Sequence, residues 1–189
     1  MEETKNKVWD DKFGLIEGVG KDAEIVTNEK GGKQSKAPMA MHLIDPQFLA
    51  WFAANKAEEL SYIDEDDNYI VDDEDREKHN CYRTIERIAQ YMVVGGNLPL
   101  VHAIDCLEPD EVKQMIRIAK VLQYGASRYA PNNWRLIPQE EHINHALIHL
   151  IAAVAGDTQD DHIDHAMCRL MMAYATEKSK GFEYNRYVA

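Results

Sequence analysis

Residues 142–150 read HINHALIHL and residues 162–170 read HIDHAMCRL. Both follow His-Ile-x-His-Ala-x-x-(His or Arg)-Leu, so one helix-sized pattern occurs twice, twenty residues apart. On a helical wheel turning about 100° per residue, with His142 at zero, His145 falls at about 300° and His149 at about 340°. Ile143, Leu147, Leu150, Ile151 and Val154 occupy an arc between about 80° and 180°. The second segment repeats this arrangement, with His162, His165 and Arg169 in the stripe and Ile163, Met167, Leu170, Met171 and Tyr174 in the apolar arc. Gly156-Asp157-Thr158-Gln159 is a short connection, which makes the two helices antiparallel neighbours. If their apolar arcs share a core, both polar stripes border one cleft.

A polar stripe opposite an apolar arc is also what a solvated helix face shows, and clustered histidines also suit a pH-sensitive interface. A merely solvated face, however, favours Lys and Glu over five histidines at matched positions, and histidine has no helix propensity that would explain them. Asp157, Asp160, Asp161 and Asp164 crowd the turn and the start of the second helix. Imidazoles and carboxylates on facing helices suit a divalent-metal site.

Outward from this hairpin, helical signals dominate. Asp45-Pro46 opens a helix running to about Glu59, with Asp as cap and Pro in the first turn. A second helix is expected over about 80–94, stopped by Gly95-Gly96-Asn97 and kept stopped by Pro99. A third begins at Pro109-Asp110-Glu111 and ends near Gly125, with Val112, Met115, Ile116, Ala119 and Leu122 as its core face. The fourth and fifth cover about 139–155 and 160–178. The fold class is all-α: a helical bundle with a C-terminal antiparallel hairpin and a short acidic loop or β-hairpin around Tyr69-Ile70-Val71. One domain spans 1–189. It comprises an irregular segment over 1–45, an insertion of unknown role over 55–108 and a helical core over 109–178.

The 189 residues are 45% hydrophobic and 29% charged, which is globular composition. No apolar run approaches the roughly 18–20 residues of a bilayer span. The N-terminal MEETKNKVWDDKFG lacks the apolar stretch of a secretory signal, and three scattered cysteines form no disulfide framework, so a reducing cytoplasm is expected. A net charge of −12 argues against a duplex nucleic-acid binder but leaves room for a small phosphorylated ligand. Much of the acid excess lies in Asp64–Asp67 and Asp72–Asp75, a solvated loop or hairpin tip. GGKQSKAP, residues 31–38, sets Lys33 and Lys36 beside two glycines, as a phosphate-wrapping loop or a plain flexible one would.

Taken together, GGKQSKAP…LIDP, VLQYGASRYAPNNWR and HxNHAxxHL-x5-GDTxDDHxxHAxCRLMMA resemble the phage and prophage family of dATP/dGTP diphosphohydrolases. That family is distantly related to the MazG-like all-α nucleotide pyrophosphohydrolases. The resemblance covers residues 27–52 and about 112–176, while 55–108 lies outside it. It implies hydrolysis of a purine deoxynucleoside triphosphate to the monophosphate, with a divalent metal, Mg²⁺ or Mn²⁺, as cofactor. It also implies a homo-oligomer and, for a phage-encoded protein, the cytoplasm of a bacterial host. MazG-like enzymes hold the metal with ExxE on one helix and ExxD on the next. This chain instead has Glu141 to Asn144 or His142 to His145, then Asp161 to Asp164 or His162 to His165. Imidazole ligation favours Mn²⁺, Zn²⁺ or Fe²⁺ over Mg²⁺.

The expected metal ligands are drawn from Glu141, His145, Asp161 and His165. Asp157, Asp160 or His149 is the candidate base. Lys33, Lys36, Arg128 and Arg135 are candidates to neutralise the departing pyrophosphate. Tyr129 and Trp134 are candidates to stack on the base and Asn133 to read its edge, although both rings equally suit a role capping the bundle. Two other readings remain open: a nucleotide-binding protein without turnover, favoured by the missing MazG carboxylates, and a helical interaction module.

Overall fold

The computed structural model describes residues 24–96 and 98–178. Asp45 caps the first helix by accepting the Phe48 N–H at 2.8 Å, and Pro46 occupies the first position, where no N–H is needed. This helix, α1 (Pro46–Glu59), buries Leu49, Ala53 and Ala57, one residue per turn on a single face. The acidic segment that follows is a β-hairpin, β3 (Tyr62–Ile63) with β4 (Tyr69–Ile70), in the register Tyr62↔Ile70 and Ile63↔Tyr69. Asp64 Oδ1 shapes its turn by accepting the backbone N–H groups of Asp66 and Asn68 at 2.9 and 2.8 Å. An earlier hairpin pairs β1 (Ile25–Thr27) with β2 (Lys33–Ser35). It falls in the stretch expected to be irregular, and residues 1–23 of that stretch lie outside the described residues.

Helix α2 (Arg76–Val94) ends at Gly95, where φ is +68°. Pro99, expected to keep the chain out of helix, instead stands near the start of α3 (Leu98–Leu107). A proline in a first helical turn gives up no intrahelical hydrogen bond, so it starts a helix as readily as it stops one. Helix α3 buries Leu100, Ala103 and Leu107. With Cys81, Ile85, Ile88 and Ala89 of α2 these residues enter the same hydrophobic cluster as Leu147, Leu150, Met167 and Leu170. The stretch 55–108, read from sequence as an insertion, therefore supplies part of the central core.

Helix α4 (Glu111–Tyr129) is capped by Asp110, which accepts the Val112 and Lys113 N–H groups at 3.0 Å. It runs through Gly125 to Tyr129 instead of ending at the glycine. Its expected core face is exposed: Val112, Met115 and Ile116 retain 60%, 64% and 51% of their surface. The reason is positional, because α4 packs on α6 with its other side and buries no residue fully.

The two repeated segments are α5 (Gln139–Val154) and α6 (His162–Lys178), packed on each other as the short turn requires. Gly156, at φ +79°, lets the chain leave α5 in a left-handed conformation that costs other residues energy. Eleven of the sixteen residues of α5 are buried, including His142, His145 and His149. A helix covered on all sides has no solvated face, so the histidine stripe points into protein. The fold is all-α with two small strand pairs. No described helix is long and apolar enough to cross a membrane.

Candidate functional site

Beside the stripes lies a cleft of about 960 Å³, lined by the β1–β2 hairpin, α4, the 3₁₀ turn Asn133–Leu136 and the facing sides of α5 and α6. Its hairpin wall is fixed by long-range hydrogen bonds. Asn28 Nδ2 donates to Leu136 O at 2.6 Å, and Asn133 bonds both backbone groups of Lys33, at 2.6 and 2.9 Å. Gly32 passes so close that an added Cβ would stand 2.8 Å from Leu136 O. Ser35 Oγ and Tyr129 Oη, 3.2 Å apart, join the hairpin to the end of α4.

The antiparallel register sets His149 against the start of α6. His149 Nδ1 and His162 Nδ1 are 3.0 Å apart, and the His165 ring meets the His149 ring edge-on at 5.0 Å. His165 Nδ1 lies 3.1 Å from Asp160 Oδ2. His149, Asp160 and His165 each offer one ligand atom, all within 4.8 Å of one another. Two imidazoles and a carboxylate fit Mn²⁺, Fe²⁺, Co²⁺ or Zn²⁺, and partial exposure of Asp160 and His165 leaves the cleft side open for a ligand.

Electrostatics suit this use. Burial, with the nearby imidazoles and Arg169, holds His149 well below the ordinary histidine range, so its ring is neutral with a free lone pair. Burial pushes His142 down to about 3 and His145 down to about 2. For Asp160 burial opposes ionisation, but the hydrogen bond and charge of His165 outweigh it and the carboxyl is held below its usual value. Cys168 is no nucleophile, because burial pushes its thiol up to about 12.

Outside this trio, Asp157 is buried beneath the turn, accepts the Gln159 N–H at 2.7 Å and stands 3.4 Å from His162 Nε2. No hydrogen bond is formed across that gap, and His162 Nε2 is shut from solvent with no other partner. The carboxylate therefore favours the tautomer with hydrogen on Nε2. His162 Nδ1 is then the acceptor of the imidazole pair and His149 Nδ1 the donor, which leaves His149 Nε2 as its unprotonated nitrogen.

The cleft gathers most of the residues expected from sequence. Lys33, Lys36, Arg128, Tyr129, Asn133 and Trp134 all line it, as do His145, His149, Asp160, Asp161 and His165. Three do not: Asp157 is buried, Arg135 stacks on the Trp134 ring at 4.4 Å, and Glu141 accepts from Gln34 Nε2 at 3.3 Å. Of the four expected ligands only His165 falls in the trio, where His149 and Asp160, expected as bases, join it. Glu141 lies two helical turns from His149, away from this trio. The amide oxygen and nitrogen of Asn133 each make one bond to the Lys33 backbone, which ties this residue to the hairpin. Sequence reasoning assigned no role to Arg169, although it occupies the third stripe position of the second repeat and lines the cleft.

Residues 102–185 match the family described as dATP/dGTP diphosphohydrolase, N-terminal. Over that span the chain is similar to this family. The matched span holds the whole His149–Asp160–His165 trio and the α4 wall, whereas the β1–β2 wall precedes it. The dATP/dGTP diphosphohydrolase family is by its description one of hydrolases. No curated protein and no solved structure matches the chain.

Proposed function

We propose that this protein hydrolyses purine deoxynucleoside triphosphates, dATP or dGTP, to the monophosphate and pyrophosphate with a divalent metal. The observation carrying this reading is the trio His149, Asp160 and His165 in a nucleotide-sized cleft whose other walls carry Lys33, Lys120 and Arg128. Positive charge gathered in one place on a chain of net charge −12 marks the cleft for a polyanion.

The trio would hold the ion, which when bound supplies charge to phosphate oxygens and acidifies a water. Two imidazoles favour Mn²⁺ over Mg²⁺. Lys33, Lys120 and Arg128 bind the phosphate chain and neutralise the departing pyrophosphate. Asp161, an exposed carboxylate on the cleft beside the trio, takes the proton of the attacking water. Tyr129 and Trp134 offer ring surface to the base, and Arg135 stiffens Trp134 by stacking on it. The exposed apolar stripe of α4 supports a homo-oligomer.

A second reading, nucleotide binding without turnover, draws on one observation. Among the described residues there is one ligand cluster with a single carboxylate, where MazG-like enzymes use two acidic motifs. A panel of dNTPs and NTPs against Mg²⁺, Mn²⁺, Co²⁺ and Zn²⁺, with products separated by chromatography, decides between them. Pyrophosphate release from dATP or dGTP in Mn²⁺ is expected. Saturable nucleotide binding with no turnover in any metal would establish the second reading.

A further inference from the structure

Arg169 lies one helical turn beyond His165 and lines the same cleft. Its Nη1 is 3.2 Å from His142 Nδ1 and 3.5 Å from Gln34 Oε1. His142 Nε2 is 3.1 Å from the Trp134 carbonyl, which can only accept, so that nitrogen carries the hydrogen and Nδ1 presents a lone pair to Arg169. His142 is fully buried and neutral, and Gln34 is an amide. The guanidinium is therefore held by two uncharged acceptors.

Two other cations of the cleft are paired with carboxylates. Arg117 is paired with Glu108 and Asp164, and Lys36 with Glu24. No carboxylate of the described residues lies within 4 Å of Arg169. A desolvated cation without a carboxylate in contact is costly, and burial does depress the basicity of this guanidinium, more than the charge of Glu141 beyond contact distance restores it. Nearby, His145 is buried on the cleft wall with an Nε2 that has no hydrogen-bond partner. Arg169 also depresses the basicity of both His145 and His149, so its charge reaches each ring. One volume thus lacks a contacting anion for Arg169 and a polar partner for His145 Nε2.

We propose that Arg169 is an anion receptor in the cleft, binding a phosphoryl group directly through its free N–H groups beside the metal-binding trio. This rests on the proposed nucleotide reading of the cleft but does not require turnover or metal. Phosphoryl oxygens match the planar fork of a guanidinium, which can engage two of them at once. A P–OH or an ordered water supplies the hydrogen that His145 Nε2 lacks. Arg169 holds the phosphoryl group next to the trio, a substrate-binding role.

The test is titration calorimetry with inorganic pyrophosphate and orthophosphate in excess EDTA, on the full chain and on Arg169→Gln and Arg169→Lys. Saturable binding by the unmodified chain is expected, at least about tenfold weaker in Arg169→Gln and intermediate in Arg169→Lys. The guanidinium nitrogen resonances of Arg169, followed by NMR in the unmodified chain, should shift with the same saturation, which decides the matter even if a variant fails to fold. Binding within twofold of normal in Arg169→Gln, no binding of either probe, or an unmoved Arg169 resonance would overturn the proposal. Turnover in Mn²⁺ is measured separately. Phosphate binding without turnover refutes only the hydrolase reading, and turnover with unmoved Arg169 signals refutes only this one.

Discussion

Replacing Asp157 by Asn isolates the contribution of the buried pair His162–His149 to the proposed metal site. The substitution keeps the oxygen that accepts the Gln159 N–H at 2.7 Å and the size of the side chain, so the turn should persist. What it removes is the negative charge 3.4 Å from His162 Nε2, the feature that biases His162, and through the 3.0 Å Nδ1–Nδ1 contact His149, toward one tautomer. Without that bias the pair can invert. The His149 nitrogen left over then carries a hydrogen and cannot coordinate. Loss of a group that orients a metal-binding histidine typically lowers affinity about 10–100-fold, or about 1.4–2.8 kcal/mol. Calorimetric titration of Mn²⁺ gives the affinity, and long-range ¹H–¹⁵N spectra of the imidazoles report the His149 tautomer. A Mn²⁺ affinity within twofold of the unmodified chain, with the His149 tautomer unchanged, would refute the argument.

His165→Ala removes one ligand of the trio and should lower Mn²⁺-supported turnover at least about a hundredfold while leaving the thermal transition within a few degrees, as kinetics and calorimetry would show. His142 and His145 are neutral in the fold but take protons when unfolded, so the unfolded chain binds more protons below the ordinary histidine pKa and stability falls with acidification. Between pH 6.5 and about 3 each contributes a loss of about 1.4 kcal/mol per pH unit, and urea unfolding at pH 7.5 and 5.5 should differ by on the order of 2–3 kcal/mol; a flat profile would contradict their burial. Gly32→Ala forces a methyl against Leu136 O at 2.8 Å, which should cost about 1–3 kcal/mol and weaken nucleotide binding by pushing the hairpin wall off the 3₁₀ turn; unchanged values of both would show that the wall is loosely held.

Much of this architecture was legible in the residues. The doubled His-Ile-x-His-Ala pattern identified α5 and α6, and the caps at Asp45 and Asp110 identified the starts of α1 and α4. The apolar periodicity of α4 was real, yet periodicity says nothing of which neighbour covers a stripe, and Val112, Met115 and Ile116 are exposed. Helix α3 was hidden because Pro99 carries the same signal at the start of a helix as after its end. β1 and β2, three residues each, are too short for an alternation to emerge. For the candidate site, a helical wheel fixes direction but not height. It put the histidines on one side of each helix and could not choose among Glu141, His145 and His149, which differ by up to two turns along α5. The pairing of His149 with His162 and of His142 with Arg169 depends on the axial register of the hairpin. Arg169 was in plain view as the residue replacing the third histidine of the repeat. Its lack of a carboxylate is a property of three dimensions alone.

The bonds between Asn133 and Lys33 join positions 100 residues apart, and Asn28 reaches Leu136 across 108. During synthesis the β1–β2 segment emerges early but has nothing to dock on until the 3₁₀ turn has been made. Helical packing can proceed from nearby residues in the meantime, whereas closing so long a loop is entropically slow. The hairpin wall should therefore be among the last parts to mature, and a nascent chain would have its histidine helices before its cleft is closed on that side.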